Sequence, residues 1–287
     1  MKNGITIILI LLIISCNDRN KNISGENGKR IDTTHFKYNG FNVGTKLDLL
    51  NNGNFYYENY WYGCNGGGEN MKVYGIYKIE DQKLILKPDS INLSTTPFTR
   101  HNNPITQTFK YGVDSLKIKT DYQIIKWDNN SYLLSAEKDD EIFIDLEPEN
   151  DFQRFAYFYN AGMEPKQHGV YLVHTKNTQS DSLNTTLNLK EIPVEWRNLF
   201  LEKPISAKIL KIEKKIEILD ENELVKYLIE IDKGSKDNVR IGLDFIDENY
   251  SEYIKIIKVN DNKSVGVISY YDFQKRYKVG EIIKTNW

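Results

Sequence analysis

The sequence predicts a mainly β protein, in which an antiparallel barrel or sandwich is followed by one amphipathic helix, a connector and a second small β-barrel. Residues 38–146 form short segments rich in aromatic and β-branched residues, separated by turn signals at intervals of roughly 8–12 residues. A clear helical period occurs at residues 151–160, and strand-like segments return from residue 205 onward. Consecutive hairpins without intervening helices indicate an antiparallel meander, which closes into a barrel or folds into a sandwich.

The first β region contains predicted strands joined by turns of defined chemistry. Asn51–Gly53 and Asp128–Asn130 contain residues that tolerate positive φ, and Lys138–Asp140 forms a charged hairpin tip. The predicted strands are Lys46–Leu50, Asn54–Tyr62, Lys72–Glu80, Lys83–Lys87, Ile105–Tyr111, Ser115–Lys119, Tyr122–Trp127, Tyr132–Glu137 and Glu141–Leu146.

Two stretches of this region resemble the lipocalin-like β-barrels of exported bacterial lipoproteins. Residues 47–60, LDLLNNGNFYYENY, contain a strand and a turn before a G-x-F motif. Residues 75–88, GIYKIEDQKLILKP, contain a G-x-Y-x-I…L-x-L hairpin. The resemblance covers residues 38–147 and implies a lipocalin-like barrel.

The next segment is predicted to be a helix that packs on, or plugs, the first barrel. Phe152, Phe155, Ala156 and Tyr159 follow the i, i+3, i+4, i+7 spacing of an amphipathic helix. A connector follows, with a predicted strand at Gly169–His174 and a short helical turn near Val194–Leu201.

The C-terminal part is predicted to form a second barrel. Residues 232–242, DKGSKDNVRIG, resemble the turn of small β-barrel modules in bacterial envelope proteins, with Asn238 in place of a glycine. Asparagine tolerates the left-handed conformation, so we expect the turn to be kept. The predicted strands are Ala207–Glu213, Val225–Asp232, Gly242–Asp247, Tyr253–Val259, Ser264–Tyr271 and Glu281–Lys284.

The N-terminus predicts export. Lys2 precedes an apolar run from Ile5 to Ile14, which is too short to span a bilayer and has the length of a signal-peptide core. The residues that end it, IISC, resemble the lipobox of bacterial lipoproteins, which implies lipidation of Cys16, with palmitate among the acyl chains. Asn17 after the cysteine favours the outer membrane by analogy.

These observations divide the chain into regions of different character. They are a signal peptide (1–15), the lipidated cysteine and a flexible tether (16–37), a lipocalin-like β-domain (38–150), a helix and connector (151–203), and a small β-barrel domain (204–287).

Composition and motifs argue against several classes of function. With 38 Lys and Arg against 40 Asp and Glu, the chain lacks the basic surface that nucleic acid binding requires. The four histidines lack the spacing of a metal site, and Gly63–Gly68 lacks the Lys-Ser/Thr of a phosphate-binding loop. Cys64 has neither a base nor an acid beside it in the sequence. Glu147, Glu149 and Asp151 are explained by the helix start. We therefore predict no catalytic residue, no metal and no cofactor.

The aromatic segment Phe55–Tyr62 is the strongest candidate for a binding site. In a strand, Tyr57 and Trp61 point to one side and Tyr62 to the other. One side fills the barrel, and the other is either covered by the helix or exposed for recognition. We expect a non-enzymatic binding or assembly protein, anchored in the cell envelope by its lipid, for a hydrophobic ligand or a partner protein. An envelope enzyme of the hydrolase type, with its site in the first β-domain, is the alternative.

Overall fold

The chain folds into two antiparallel β-barrels, with a helix and connector between them in the sequence. The computed structural model describes residues 33–64, 66–97, 103–112, 116–139, 148–176, 186–219, 222–247, 253–270 and 277–286. In this part of the chain, neither helix has the length and apolar character needed to cross a bilayer. Cys16 and the predicted strand Glu141–Leu146 lie outside the described residues.

The first barrel is closed by eight strands in the order β1-β2-β3-β4-β5-β7-β8-β9, and Lys37 of β1 pairs with Val173 of β9. Strand β6 pairs with the second half of β5, beyond the residues that pair with β7. The strands are β1 (Thr33–Asn39), β2 (Val43–Leu50), β3 (Asn54–Tyr62), β4 (Gly68–Glu80), β5 (Lys83–Thr96), β6 (Ile105–Lys110), β7 (Asp121–Trp127), β8 (Asn130–Leu134) and β9 (Leu172–Thr175). Of the two predicted alternatives, a barrel or a sandwich, this region forms the barrel.

The turns follow the predicted chemistry. Gly53, with φ of 84°, lies in the β2–β3 turn, and Asp128, with φ of 53°, lies in the β7–β8 turn. Asp81 and Gln82 both have positive φ in the tight β4–β5 hairpin, as a type I′ turn requires.

Two sequence interpretations of this region are wrong. The end of the predicted tether, residues 33–37, belongs to β1, whose backbone pairs with β2 along its whole length. The predicted strand Ser115–Lys119 is absent, since residues 116–120 are irregular and β7 begins at Asp121.

Helix α1 (Asp151–Asn160) has the predicted bounds and packs on the outside of the first barrel. Its first turn is capped by Asn150, whose side-chain oxygen accepts a hydrogen bond from the Gln153 backbone N–H at 3.0 Å. Side chains alternate along β7 to β9, so Tyr122 faces the barrel interior while Trp127 faces the helix. This outer core contains Ile125, Trp127, Tyr132, Leu134, Phe152, Phe155, Ala156, Tyr171, Val173, Leu187, Ile192 and Phe200.

The connector contains short elements before the second barrel. They are helix α2 (Pro165–His168) and 3₁₀ turns at Leu189–Glu191 and Arg197–Leu199, the last within the predicted helical turn. Phe200 belongs to the outer core of the first barrel, and its neighbour Leu201 belongs to the core of the second.

The second barrel has six strands in the order β12-β13-β14-β11-β10-β15 and is nearly closed by a bridge between Ile246 and Lys284. The predicted turn is present, with Asn238 in the left-handed conformation at φ of 65° after a 3₁₀ turn at Ser235–Asp237. The strands are β10 (Ser206–Leu219), β11 (Asn222–Ile231), β12 (Asp244–Phe245), β13 (Ile254–Val259), β14 (Ser264–Tyr270) and β15 (Ile282–Lys284).

Candidate functional site

A cavity of about 350 Å³ lies at one end of the first barrel. Its floor is formed by buried side chains that face the barrel interior, among them Tyr57, Tyr122, Leu133 and Leu172. Its rim comes from the segments that precede β7, follow β8 and precede β9. We call this cavity the mouth of the first barrel.

Polar contacts within the barrel wall fix Tyr57 in the floor of the mouth. It lies between Leu47 of β2 and Val73 of β4 in the sheet. Its hydroxyl is hydrogen-bonded to the side chains of Thr45 and Asn59, and burial raises its pKa to about 12. Asn59 Nδ2 in turn donates to Thr45 Oγ1 at 2.9 Å.

Tyr122 is the second phenol of the floor. It is buried, with 6% of its surface exposed, and this burial raises its pKa well above the usual value. Both phenols are therefore neutral at physiological pH. They present rings and hydroxyl groups to the mouth, without negative charge.

Two cations and two carboxylates form an ion network at the rim. Lys119 Nζ lies 2.7 Å from Asp139 Oδ1 and 2.8 Å from Asp151 Oδ1. Arg154 contacts both carboxylates as well. Asp151 Oδ2 also accepts a hydrogen bond from the Ser135 backbone N–H at 2.9 Å. The network thus fastens three segments, residues 116–120, residues 135–139 and the start of α1, around the opening.

Burial alone would raise the pKa of Asp139, but hydrogen bonds and attraction from Lys119 and Arg154 outweigh it and leave the pKa lowered. A third rim carboxylate, Glu137, accepts hydrogen bonds from the backbone N–H groups of Thr120 and Asp121 at 2.8 and 3.1 Å. The carboxylates of the rim therefore hold loops in place.

The three aromatic residues singled out from the sequence occupy different places. Tyr57 is buried, whereas Trp61 and Tyr62 are 42% and 43% exposed. Trp61 follows Tyr57 by four residues on the same face of β3, about 13 Å further along the strand. Its indole N–H donates to Glu69 Oε2 at 3.4 Å. Tyr62 lies on the opposite face, with its ring 5.5 Å from that of Tyr60.

Most residues of the rim were not predicted from the sequence. Lys117 and Lys119 lie in a segment predicted as a strand, and Asp151 has a simpler explanation as a helix-start residue. Tyr122 could have been recognised, because it is the first residue of a predicted strand. The ion network has no signal in the sequence, since its members come from three separate segments.

Cys64 and the described histidines lie elsewhere. Cys64 is exposed in the β3–β4 hairpin loop, where the Gly66 N–H donates to Gly63 O. His35 Nδ1 lies 2.7 Å from Asp48 Oδ1, and His174 Nδ1 lies 2.8 Å from His35 O. Neither they nor Cys64 line the mouth. Within the described ranges, no group of three or more His, Cys, Asp or Glu side chains has the geometry to hold a metal ion.

A second cavity, of about 330 Å³, lies between α1 and the second barrel. At its edge Asp244 has a pKa raised by burial, with Lys255 Nζ 3.6 Å from its Oδ1 and the Tyr157 hydroxyl hydrogen-bonded to it. Arg240 Nη1 donates to the carbonyl of Asn198 at 2.6 Å. These contacts attach the second barrel to α1 and to the 3₁₀ turn at Arg197–Leu199, so we assign them a structural role.

Comparison of the chain with protein-family models, with curated proteins and with solved structures finds no match.

Proposed function

We propose that this protein is a lipid-anchored protein of the cell envelope that binds a small hydrophobic ligand in the mouth of its first barrel. Lipidation of Cys16 would attach it to the membrane, in the outer membrane by the analogy with Asn17. The body would then lie in the periplasm or at the cell surface. The function is non-enzymatic and involves neither a cofactor nor a nucleic acid.

The observation that carries the binding proposal is the combination of an aromatic and aliphatic floor with a fastened rim. The floor residues Tyr57, Tyr122, Leu133 and Leu172 place aromatic and aliphatic groups at the bottom of the cavity, below a rim that supplies most of its polar surface. A volume of about 350 Å³ falls at the lower end of the range for ligand pockets. The site is also preformed, because the ion network holds its edge.

The chemistry of the mouth suggests an amphipathic ligand. An apolar body would lie against the floor, while a polar or acidic group would face the rim, where Lys117 is exposed. The neutral phenols of Tyr57 and Tyr122 would not repel an anion. Trp61, further along the same wall, would cover the part of a longer ligand that extends out of the mouth.

The alternative of a hydrolase-like enzyme is less well supported by the state of the rim carboxylates. A general acid needs a raised pKa, but the pKa of Asp139 is lowered by its cations. Asp151 is bound by Lys119 and Arg154, and Glu137 by backbone N–H groups. These groups have the environment of structural anions.

A substitution that blocks the mouth tests the proposal. Val170 lines the mouth and is 50% exposed, so Val170→Trp would fill the opening without disturbing the core. Val194→Trp, at a residue that is 74% exposed and lies outside the mouth, is the matched control. The probe is 1-anilinonaphthalene-8-sulfonate, which has an apolar aromatic body and one sulfonate.

We expect saturable fluorescence enhancement with the unchanged protein and with Val194→Trp, and weakening of roughly tenfold or more with Val170→Trp, because a filled pocket loses most of the apolar contact. Equal binding by both variants, or no saturable binding by the unchanged protein, would show that the mouth is not a ligand site.

A partner protein is the second candidate, because aromatic and aliphatic side chains are exposed around one end of β2 and β3. Phe41 is 86% exposed, and Val43, Trp61 and Tyr62 are about 40% exposed. The backbone N–H of Tyr62 donates to Asn42 O at 2.7 Å, which joins the two ends into one patch. Tryptophan and tyrosine are favoured in binding hot spots.

Recovery of proteins from the native envelope tests this second candidate. Trp61→Ala should lose the recovered partner, and Tyr74→Ala, which changes a residue that is 37% exposed on the outer face of β4, should retain it. If Trp61→Ala recovered the same proteins as the unchanged chain, Trp61 would have no part in recognition.

A further inference from the structure

The longest hairpin of the second barrel is formed by β10 and β11, and among the described residues one edge of β10 has no strand partner over most of its length. Strand β10 has 14 residues, but β15 pairs only with its start, at residues 206–208. From Lys211 to Leu219 it pairs with β11 on one side. On the other side no strand within the described part of the chain pairs with it after Ile209, whose backbone still bonds with Glu281 and Gly280.

An uncovered edge of this length is a surface on which another strand can add. Residues 210–219 extend over about 34 Å, and their backbone makes no hydrogen bond on this side with the part of the chain that the structure describes. The side chains of residues 211–216 alternate between the two faces of the hairpin. Lys211, Glu213 and Lys215 are exposed on one face, and Ile212 and Ile216 lie on the other, where Ile216 is 54% exposed.

We propose that this edge pairs with the same edge of a second copy of the chain, in an antiparallel register centred on Lys214. In this register Glu213 faces Lys215 of the partner subunit, and Ile212 faces the partner's Ile216. Each of these pairs occurs twice because the interface has twofold symmetry. The segment is therefore complementary to itself in charge and in apolar character.

Neighbouring registers lack this complementarity. A shift of the centre to position 213 sets Lys211 against the partner's Lys215, and Glu213 against itself. A centre at 215 sets Lys215 against itself. A shift of the pairing by a single residue places charged side chains opposite isoleucines, because the side-chain period of a strand is two. Charge and hydrophobic pattern thus select one register.

The register has one unfavourable contact, which also marks its centre. Lys214 faces the partner's Lys214, and like charges directly opposite each other weaken strand pairing. The long lysine stems allow the two ammonium groups to turn into solvent while the stems cover apolar surface. The adjacent isoleucine pairs and the flanking ion pairs oppose this repulsion. A second copy is favoured over an unrelated strand because it carries the complementary sequence by necessity.

Charge reversal tests the pairing in the full chain, solubilised in a non-ionic detergent, with the molar mass measured by light scattering. Glu213→Lys or Lys215→Glu alone would set like charges against each other, so we expect each to raise the dimer dissociation constant by roughly tenfold or more. The double variant Glu213→Lys with Lys215→Glu restores opposite charges and should recover the dimer. A monomer at about 100 µM of unchanged chain, a concentration at which specific interfaces of this kind are occupied, would overturn the proposal. Equal masses for the single and double variants would also overturn it.

Cross-linking tests the centre of the register. In a Cys64→Ser background, Lys214→Cys places two thiols directly opposite each other, within reach of a disulfide. Lys236→Cys, at a side chain that is 64% exposed in the 3₁₀ turn at Ser235–Asp237, is the matched control. We expect a covalent dimer with Lys214→Cys and a much weaker band with Lys236→Cys. Circular dichroism melts check that both variants are folded. Equal bands from the two folded variants would contradict the proposed register.

Discussion

Replacement of Phe155 by alanine should test the packing of helix α1 on the first barrel. The Phe155 side chain is fully buried, at 0% exposure. Its ring centroid lies 5.0 Å from that of Tyr132, 5.4 Å from Tyr171, 6.1 Å from Trp127 and 6.2 Å from Phe200. Phe155 thus joins the helix to β7, to β8, to the segment before β9 and to the end of the connector.

The expected loss in the free energy of unfolding follows from these contacts. A buried Phe→Ala replacement costs about 3–5 kcal/mol, because transfer energy is lost and a cavity remains. Edge-to-face aromatic pairs each add about 0.5–1.5 kcal/mol beyond area burial, and Phe155 makes several, so the loss should lie near 4–5 kcal/mol. This is a large part of a typical stability of about 5–15 kcal/mol. It corresponds to a fall of about 8–20 °C in Tm for a domain of this size.

Thermal and urea unfolding followed by circular dichroism measure this loss. Phe41→Ala makes the same chemical change at a residue that is 86% exposed, and it should alter stability by no more than about 0.5 kcal/mol. If Phe155→Ala and Phe41→Ala had similar effects, α1 would not be packed on the barrel wall in the way described.

Three other predictions concern the anchor, the second barrel and the rim. Cys16→Ala should move the protein from the membrane to the soluble fraction, and retention on the membrane after a carbonate wash would refute lipidation. A fragment of residues 204–287 should unfold cooperatively because its core is largely its own, and poor amide proton dispersion would show that it needs the first barrel. Since Lys119 and Arg154 lower the folded pKa of Asp139, its stabilising contribution is present at neutral pH and is lost as the pH falls below about 4. The destabilisation by Asp139→Asn, measured in urea, should therefore be larger at pH 7 than at pH 3, and a difference independent of pH would contradict the role given to the ion network.

Local sequence patterns were sufficient to predict several elements of this fold. Strand β3 and helix α1 have the bounds that the sequence predicts, because alternation and the 3.6-residue period are properties of adjacent residues. The turns at Gly53, Asp128 and Asn238 were predictable for the same reason, since positive φ is a local preference. The barrel itself follows from consecutive hairpins, which bring each strand beside the one before it.

Elements that depend on distant partners were not predictable. Strand β1 contains Phe36 as its one fully buried side chain, and its backbone bonds with β2 and β9 make it a strand. Residues 116–120 have strand-like composition, but they cross the mouth, where Lys119 contacts carboxylates from two other segments.

The candidate site also has one part that the sequence predicts and one part that it does not. The sequence alone determines that Tyr57 and Trp61 share one face of β3 and that Tyr62 lies on the other, because side chains alternate along any strand. It does not determine which face is inside, since both are aromatic. Closure of the barrel through β9 places Tyr57 inside the barrel, in the floor of the cavity. The physical reason is that barrel closure and ion pairing join residues far apart in the chain, and single-segment patterns carry no information about them.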